Sequence, residues 1–114
     1  FGNRVQSFDA VSHDSRVTSC NIAKVPVKDG HLGIAVFCQS LMGTAKSWPE
    51  YLNEASRCLP KGGILLIAET TKSIRENARN LGSIRDVVKE NGFELNPEGC
   101  YDEYKFTFIE ARKL

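Results

Sequence analysis

Apolar and polar positions follow two different periods along the chain, one typical of strands and one of helices. Two continuous apolar runs, Leu32–Cys38 and Gly63–Ala68, predict strands buried on both faces of a parallel sheet. Between them, apolar residues recur at helical spacing over Trp48–Leu59, which predicts an amphipathic helix packed on that sheet. The opposite face of this helix, which includes Glu54 and Arg57, is predicted to face solvent. A Pro-Lys-Gly-Gly turn at Pro60–Gly63 ends the helix before the next strand begins.

Shorter patterns complete the set of predicted elements. Two brief strands come first, Val5–Phe8 and Arg16–Cys20. Later, an apolar stripe predicts a helix over Leu81–Asn91, closed by a left-handed glycine cap at the next residue. Phe93–Leu95 and Tyr104–Ala111 then predict a closing antiparallel pair of strands.

The order of these elements predicts the fold class. Strands and helices that alternate in this way favour a single α/β domain over residues 1–114. Its sheet would be mostly parallel, with the antiparallel pair at one edge. The polar stretch Ser73–Asn80 is consistent with either a loop or an extra helical turn.

Composition and charge exclude several functional classes. The chain has 114 residues, of which 41% are hydrophobic and 25% charged, the usual values for a globular domain. A net charge of +1 gives no bulk basic footprint for nucleic-acid binding. No apolar run approaches the roughly 20 residues that a membrane span needs. The 4 cysteines lack metal-ligand spacing, so we expect buried, reduced thiols and no metal site.

Candidate site residues stand directly after the predicted strands, because open parallel sheets bind ligands outside the carboxyl ends of their strands. Asp9 follows the first strand and is suited to ribose hydroxyls, although a turn or helix-cap aspartate fits equally. Asn21 and Ile22 follow the second strand, where an amide beside an apolar side chain suits adenine; a plain turn asparagine is the alternative. Glu69 follows the fourth strand and is interpreted as a solvated strand-end residue in preference to a catalytic base.

The segment after the third strand, Cys38–Gly43, is unusually apolar for a loop. Such a loop can line a pocket where a cofactor meets its substrate. It can equally be a loop buried under neighbouring helices.

Several motifs together resemble a known family. Asp9 after a strand, the Leu-Pro-Lys-Gly-Gly turn and the closing strand pair resemble class I methyltransferases. Two segments, Arg16–Gly30 and Ala35–Thr44, are narrower and resemble the nucleomethylin family of ribosomal RNA-processing proteins. The run Val-Phe-Cys-Gln-Ser-Leu-Met-Gly-Thr in the second segment is the most specific part. The resemblance extends from about Val5 to Ala111.

This resemblance implies a Rossmann-like class I fold that uses S-adenosylmethionine and releases S-adenosylhomocysteine. It implies methylation of adenine N1 in large-subunit ribosomal RNA, in the nucleolus or nucleus, with ribosomal RNA as partner and no membrane or metal. Two alternatives stay open: a class I methyltransferase of a small molecule such as a quinone or sterol, and a non-catalytic nucleolar or chromatin scaffold that retains the fold.

The resemblance also implies roles for residues of this chain. Asp9 would hold the ribose, and Asn21 stands where the family usually has aspartate beside the adenine, with Ile22 packed next to it. The residues implied near the methionine arm and the methyl-transfer point are Phe37, Cys38 and Ser40, and those implied for the substrate pocket are Gln39, Leu41 and Met42. No side chain of the sequence stands out as a catalytic base.

One departure from the family concerns its first strand and Glu/Asp-x-Gly-x-Gly loop, which this sequence lacks. Both are expected to lie before Phe1, so the chain is expected to be a fragment. The first strand of the family lies at the centre of the sheet, between the strands that end here at Asp9 and Cys38. The gap would expose two strand edges, which predicts a homodimer through that gap or poor cofactor binding.

Overall fold

The computed structural model describes residues 5–9, 14–42, 47–78 and 84–114. Their strands form two separate ladders. In the first, β1 (Ser7–Asp9) pairs in parallel with β2 (Val17–Ser19). In the second, β3 (Ile34–Cys38) pairs in parallel with β4 (Ile64–Thr70), and β7 (Phe106–Lys113) runs antiparallel along the other side of β4. This second ladder is therefore a mixed sheet, in which β3 and β4 are parallel and β7 is antiparallel to β4.

The remaining elements flank or extend the larger ladder. Its strand order is β3-β4-β7-β5, and β6 pairs with β7 next to β5. These elements are the helices α1 (Trp48–Cys58), α2 (Thr71–Ala78) and α3 (Ile84–Glu90), the strands β5 (Phe93–Leu95) and β6 (Tyr101–Glu103), and a 3-10 turn at Pro97–Gly99. Among the described residues, no helix has the length and apolarity to cross a membrane.

The core lies between the sheet and the helices. Trp48 and Leu52 of α1 are almost fully buried, as are Leu65 of β4 and Ile109 of β7. The indole Nε1 of Trp48 donates a hydrogen bond to the Asn77 carbonyl at 3.2 Å, which joins α1 to α2. Burial of these large side chains provides the main stabilisation of the fold.

Two glycine turns end α1 and α3 where the sequence predicts. Gly62 has φ of +85°, and a Cβ on Gly63 would lie 2.9 Å from the Pro60 carbonyl oxygen, so this turn needs both glycines. Gly92 has φ of +88° directly before β5, as expected for a left-handed cap.

The prediction that β3 is buried on both faces is wrong. Ile34 and Val36 are 58% and 62% exposed, whereas Phe37, on the opposite face, belongs to the core. Within the described residues β3 pairs with β4 alone, and β1 pairs with β2 alone. In the part of the chain that the structure describes, one face and one edge of β3 are therefore open.

The C-terminal half differs from the prediction in three respects. The polar stretch after β4 forms a full helix, α2, and the additional strand β6 pairs with β7. Tyr104 lies in the turn before β7, and the buried face of β7 carries Thr107, Ile109 and Ala111. The first three residues of the predicted helix Leu81–Asn91 lie outside the described residues. Phe106 and Phe108 pack on the opposite face, where Phe108 stacks on Tyr101 with ring centroids 5.0 Å apart.

Candidate cofactor-binding site

The carboxyl ends of β1 and β2 place two candidate residues near one another. Asp9 lies opposite Ser19 in the ladder, and the Cys20 N–H donates to the Asp9 carbonyl at 2.8 Å. Asp9 and Asn21 are both exposed beyond the strand ends. A carboxylate and an amide at adjacent strand ends supply the acceptors and donors that a ribose and an adenine require.

Asn21 shapes its own turn. Its Oδ1 accepts the Ala23 N–H at 2.9 Å, a local turn of the kind that asparagine favours. Ile22, the next residue, is half-buried and packs against the core cluster. The turn interpretation of Asn21 is thus correct, and a role in ligand binding is compatible with it.

The chain after Asn21 is held against α1 by Arg57. The guanidinium donates to the carbonyls of Val25 and Val27 at 3.0 and 2.9 Å and to the Asp29 carboxylate at 2.8 Å. It also forms a two-pronged pair with Glu54, at 2.6 and 2.8 Å. We call Glu54 and Arg57 with the backbone of 25–29 the Arg57 clamp.

Glu54 is the buried member of the clamp, so the prediction that it faces solvent is wrong. Its side chain is 6% exposed, and its Oε2 also accepts the Val25 N–H. The hydrogen bond from Arg57 lowers the pKa of the Glu54 carboxyl below its usual value, against the opposing effect of burial, and the Val25 bond adds to the lowering. The same pairing raises the pKa of Arg57. Both groups are therefore charged at neutral pH.

The loop after β3 divides into exposed and buried residues. Cys38, Gln39 and Ser40 are exposed at the strand end, whereas Leu41 and Met42 are buried in the core. Gln39 has φ of +54°, a left-handed conformation that costs a non-glycine residue about 1 kcal/mol. The Phe37 side chain is also buried in the core. Only three residues of the expected lining thus present side chains to the mouth of the site.

The buried end of this loop is held by Glu69. Its Oε1 accepts the N–H groups of Leu41 and Met42 at 2.9 and 3.2 Å. Glu69 is 2% exposed, so the interpretation as a solvated strand-end residue is wrong. The Gln39 N–H donates to the Ala68 carbonyl at 2.7 Å on the same side. Ala68 and Glu69, adjacent residues of β4, therefore set the path of the loop from Gln39 to Met42. Gly43 and Thr44 lie outside the described residues.

The site thus consists of two groups, one at the end of each ladder. Asp9 and Asn21 form the first, and Cys38, Gln39 and Ser40 form the second. The described residues hold no cluster of metal-ligating side chains. Asp9 and Asn21 carry hydrogen-bonding groups of the kind that bind ribose and adenine, and Cys38, Gln39 and Ser40 lie exposed at the end of the next strand.

Comparison with protein families shows the family to which this chain belongs. Residues 2–114 match the family described as "Hypothetical methyltransferase". The chain belongs to this methyltransferase family.

Curated relatives of this methyltransferase chain share its sequence over almost its whole length. It is 50% identical over 111 residues to the 25S rRNA (adenine(645)-N(1))-methyltransferase of Schizosaccharomyces pombe, covering 97% of the chain and 33% of that protein. It is 39% identical over 110 residues to Ribosomal RNA-processing protein 8 of Dictyostelium discoideum, covering 96% of the chain and 26% of that protein. The chain therefore spans between a quarter and a third of the length of these two relatives.

Solved structures confirm the fold class. A SAM-dependent methyltransferase of Thermotoga maritima, a possible histamine N-methyltransferase, matches with a TM-score of 0.64 at 20% identity, over 86% of this chain and 64% of that one. Geranyl diphosphate C-methyltransferase of Streptomyces coelicolor, in complex with S-adenosyl-L-homocysteine, matches with a TM-score of 0.62 at 14% identity, over 87% and 52%. The fold is that of class I methyltransferases, as the sequence predicts.

Proposed function

We propose that this chain forms the adenosine side and the methyl-transfer loop of an S-adenosylmethionine-dependent methyltransferase that modifies adenine N1 of large-subunit ribosomal RNA. The structural observation that carries the proposal is the loop Cys38–Met42, which Glu69 holds at the carboxyl ends of β3 and β4. The Schizosaccharomyces pombe relative, an adenine-N1 rRNA methyltransferase at 50% identity, supports the choice of reaction. A nucleolar or nuclear location follows from the same proposal.

The proposed chemistry asks mainly for positioning. When bound, S-adenosylmethionine supplies a methyl group on a positively charged sulfur, ready for in-line attack by a ring nitrogen. Asp9 would accept hydrogen bonds from the ribose hydroxyls, and the Asn21 amide would meet the adenine edge. Exposed Gln39 and Ser40 would align the target base, and the rigid loop holds both within reach. The target adenine would have to be unpaired or flipped out.

Calorimetric titration with S-adenosylhomocysteine tests the cofactor assignment. We would compare the chain itself with a chimera in which it replaces the matching region of the Schizosaccharomyces pombe enzyme. The chimera is expected to bind and the chain alone to bind poorly. Asp9→Asn in the chimera is expected to weaken binding about tenfold, because it removes a charged acceptor while keeping the side-chain shape.

Lys61→Ala serves as the control for this titration and should leave binding unchanged, because Lys61 lies in the turn before the amino end of β4. If neither protein bound S-adenosylhomocysteine, the cofactor assignment would be wrong and the non-catalytic scaffold would become the better hypothesis.

The open side of β3 leads to a proposal about assembly. Its unpaired edge and the exposed side chains of Ile34 and Val36 favour pairing with another strand, and in the isolated chain we expect a homodimer through this edge. Sedimentation velocity should show a dimer that Val36→Lys dissociates. Leu114→Lys, which changes an apolar residue 67% exposed elsewhere on the surface, should have no effect. A monomer at all concentrations would contradict the proposal.

A further inference from the structure

A groove of about 730 Å³ lies at the carboxyl end of β4, between the start of α2 and the β6–β7 turn. Its walls include Thr70 and Thr71 at the end of β4, Lys72 and Arg75 of α2, and the turn residues Tyr104 and Lys105. We call it the Tyr104 groove. The proposed chemistry makes no use of any of these side chains.

Tyr104 is an unusual residue for the turn that it occupies. It is 89% exposed and has φ of +58°, where glycine or asparagine would be unstrained. The Tyr104 ring buries little surface, so packing compensates little for this conformation. The Lys105 ammonium lies 5.4 Å from the ring centroid and leaves much of the ring open to solvent. An exposed aromatic ring beside a cation is the arrangement on which unpaired bases stack.

The charges of the groove are mixed but favour an anion on balance. Lys72, Arg75 and Lys105 face two acids, Glu76 and Asp102. Lys72 pairs with Glu76 at 3.9 Å, and both side chains are mostly exposed, so this pair is weak. Within the described residues, Arg75 and Lys105 form no ion pair. These two cations can therefore contact phosphates with little cost in broken interactions.

The turn is fixed close to the methyl-transfer loop. The Thr71 N–H donates to the Lys105 carbonyl at 2.9 Å, and the hydroxyls of Thr71 and Thr107 lie 2.8 Å apart. β7 lies one strand beyond β4, and β3 lies on the other side of β4. With neighbouring strands about 4.8 Å apart and Phe106 two residues beyond the level of Cys38 in the ladder, the start of β7 is roughly 12 Å from the end of β3. A nucleotide next to a target base at Cys38–Ser40 can span that distance.

We propose that the Tyr104 groove binds single-stranded RNA, with a base flanking the methylated adenine stacked on Tyr104 and its phosphates at Arg75 and Lys105. The identity of the RNA rests on the proposed function, whereas binding of the strand rests on the groove alone. Sequence-tolerant stacking and a small number of phosphate contacts suit an RNA segment whose target base has left its helix.

Fluorescence anisotropy with a short labelled single-stranded RNA that contains an unpaired adenine tests this site, in both the chain and the chimera. Tyr104→Ala should weaken binding about tenfold and Tyr104→Phe should not, because stacking needs only the ring. Arg75→Ala and Lys105→Ala should each reduce the slope of log affinity against log salt by about 0.7. Lys61 is exposed before the amino end of β4, far along that strand from the groove, so Lys61→Ala should leave both the affinity and the salt slope unchanged.

The outcomes separate this inference from the proposed function. Three results would contradict RNA binding in the Tyr104 groove: an RNA affinity that Tyr104→Ala does not change, an equal loss of affinity in Lys61→Ala, or no RNA binding at all. Groove variants that lose RNA but keep S-adenosylhomocysteine binding in the chimera would support both proposals. If the chimera bound RNA through Tyr104 but failed to bind S-adenosylhomocysteine, RNA binding in the groove would be supported and the methyltransferase function would be contradicted.

Discussion

Replacement of Glu69 by leucine is expected to lower kcat/KM for methyl transfer about a hundredfold, because misplacement of a site by about 1 Å costs that much. The Glu69 Oε1 is the acceptor for the N–H groups of Leu41 and Met42. Leucine removes this acceptor and leaves two buried donors unsatisfied, at a cost of about 1–3 kcal/mol each. The loop would have to move to hydrate them, which displaces Gln39 and Ser40. The measurement is steady-state methylation of RNA by the chimera.

Glu69→Gln is the matched variant, since it keeps a carbonyl oxygen where Oε1 lies and changes the volume little. We expect it to retain kcat/KM within a few-fold. Equal losses in both variants would instead indicate that the charge itself acts on the reacting groups, and the acid limb of the pH–rate profile would then change with it. Full activity of Glu69→Leu would show that the loop does not depend on this side chain.

Helices α1 and α3 and the inner strands followed from sequence because their patterns are local. The apolar stripe of Trp48–Cys58 and the glycines of its terminal turn specify α1 whatever packs on it. The exposure of Val36 was not predictable in the same way, because an apolar run predicts burial on both faces whether or not another element packs there. Strand β6 was missed because its three residues, Tyr101–Glu103, lack an apolar pattern and are held by pairing with β7.

The candidate site was predictable only where it follows from strand ends. Asp9 and Asn21 were found because the end of each strand marks their position. Glu54 and Glu69 were misjudged because their burial is caused by segments far away in sequence, the 25–29 backbone and the Leu41–Met42 backbone. A glutamate three residues before an arginine on a helix is the one local signal for the clamp, and it is common on solvated faces.

The Arg57 clamp should matter more for stability than any surface ion pair of the chain. Arg57→Ala is expected to lower the free energy of unfolding by about 3 kcal/mol, since it leaves the buried Glu54 carboxylate without its partner. It also releases the carbonyls of Val25 and Val27, so the turn at Asn21 should loosen. Urea unfolding of the chain measures the change. Arg16→Ala is the matched control: Arg16 pairs with Asp14 at 2.7 Å but is 87% exposed, and its loss should not change stability measurably.

The clamp should also show itself in the acid dependence of stability. The pKa of Glu54 is lower in the folded chain than in the unfolded chain, so the unfolded chain takes up a proton first as the pH falls. The carboxylate therefore stabilises the fold above its unfolded pKa, about 4.3, and this contribution is lost as the pH drops through the folded value. Glu54→Gln does not titrate, so its stability deficit at neutral pH should shrink steadily in acid. A deficit that stays constant with pH would mean that Glu54 acts through its shape and hydrogen bonds, without help from its charge.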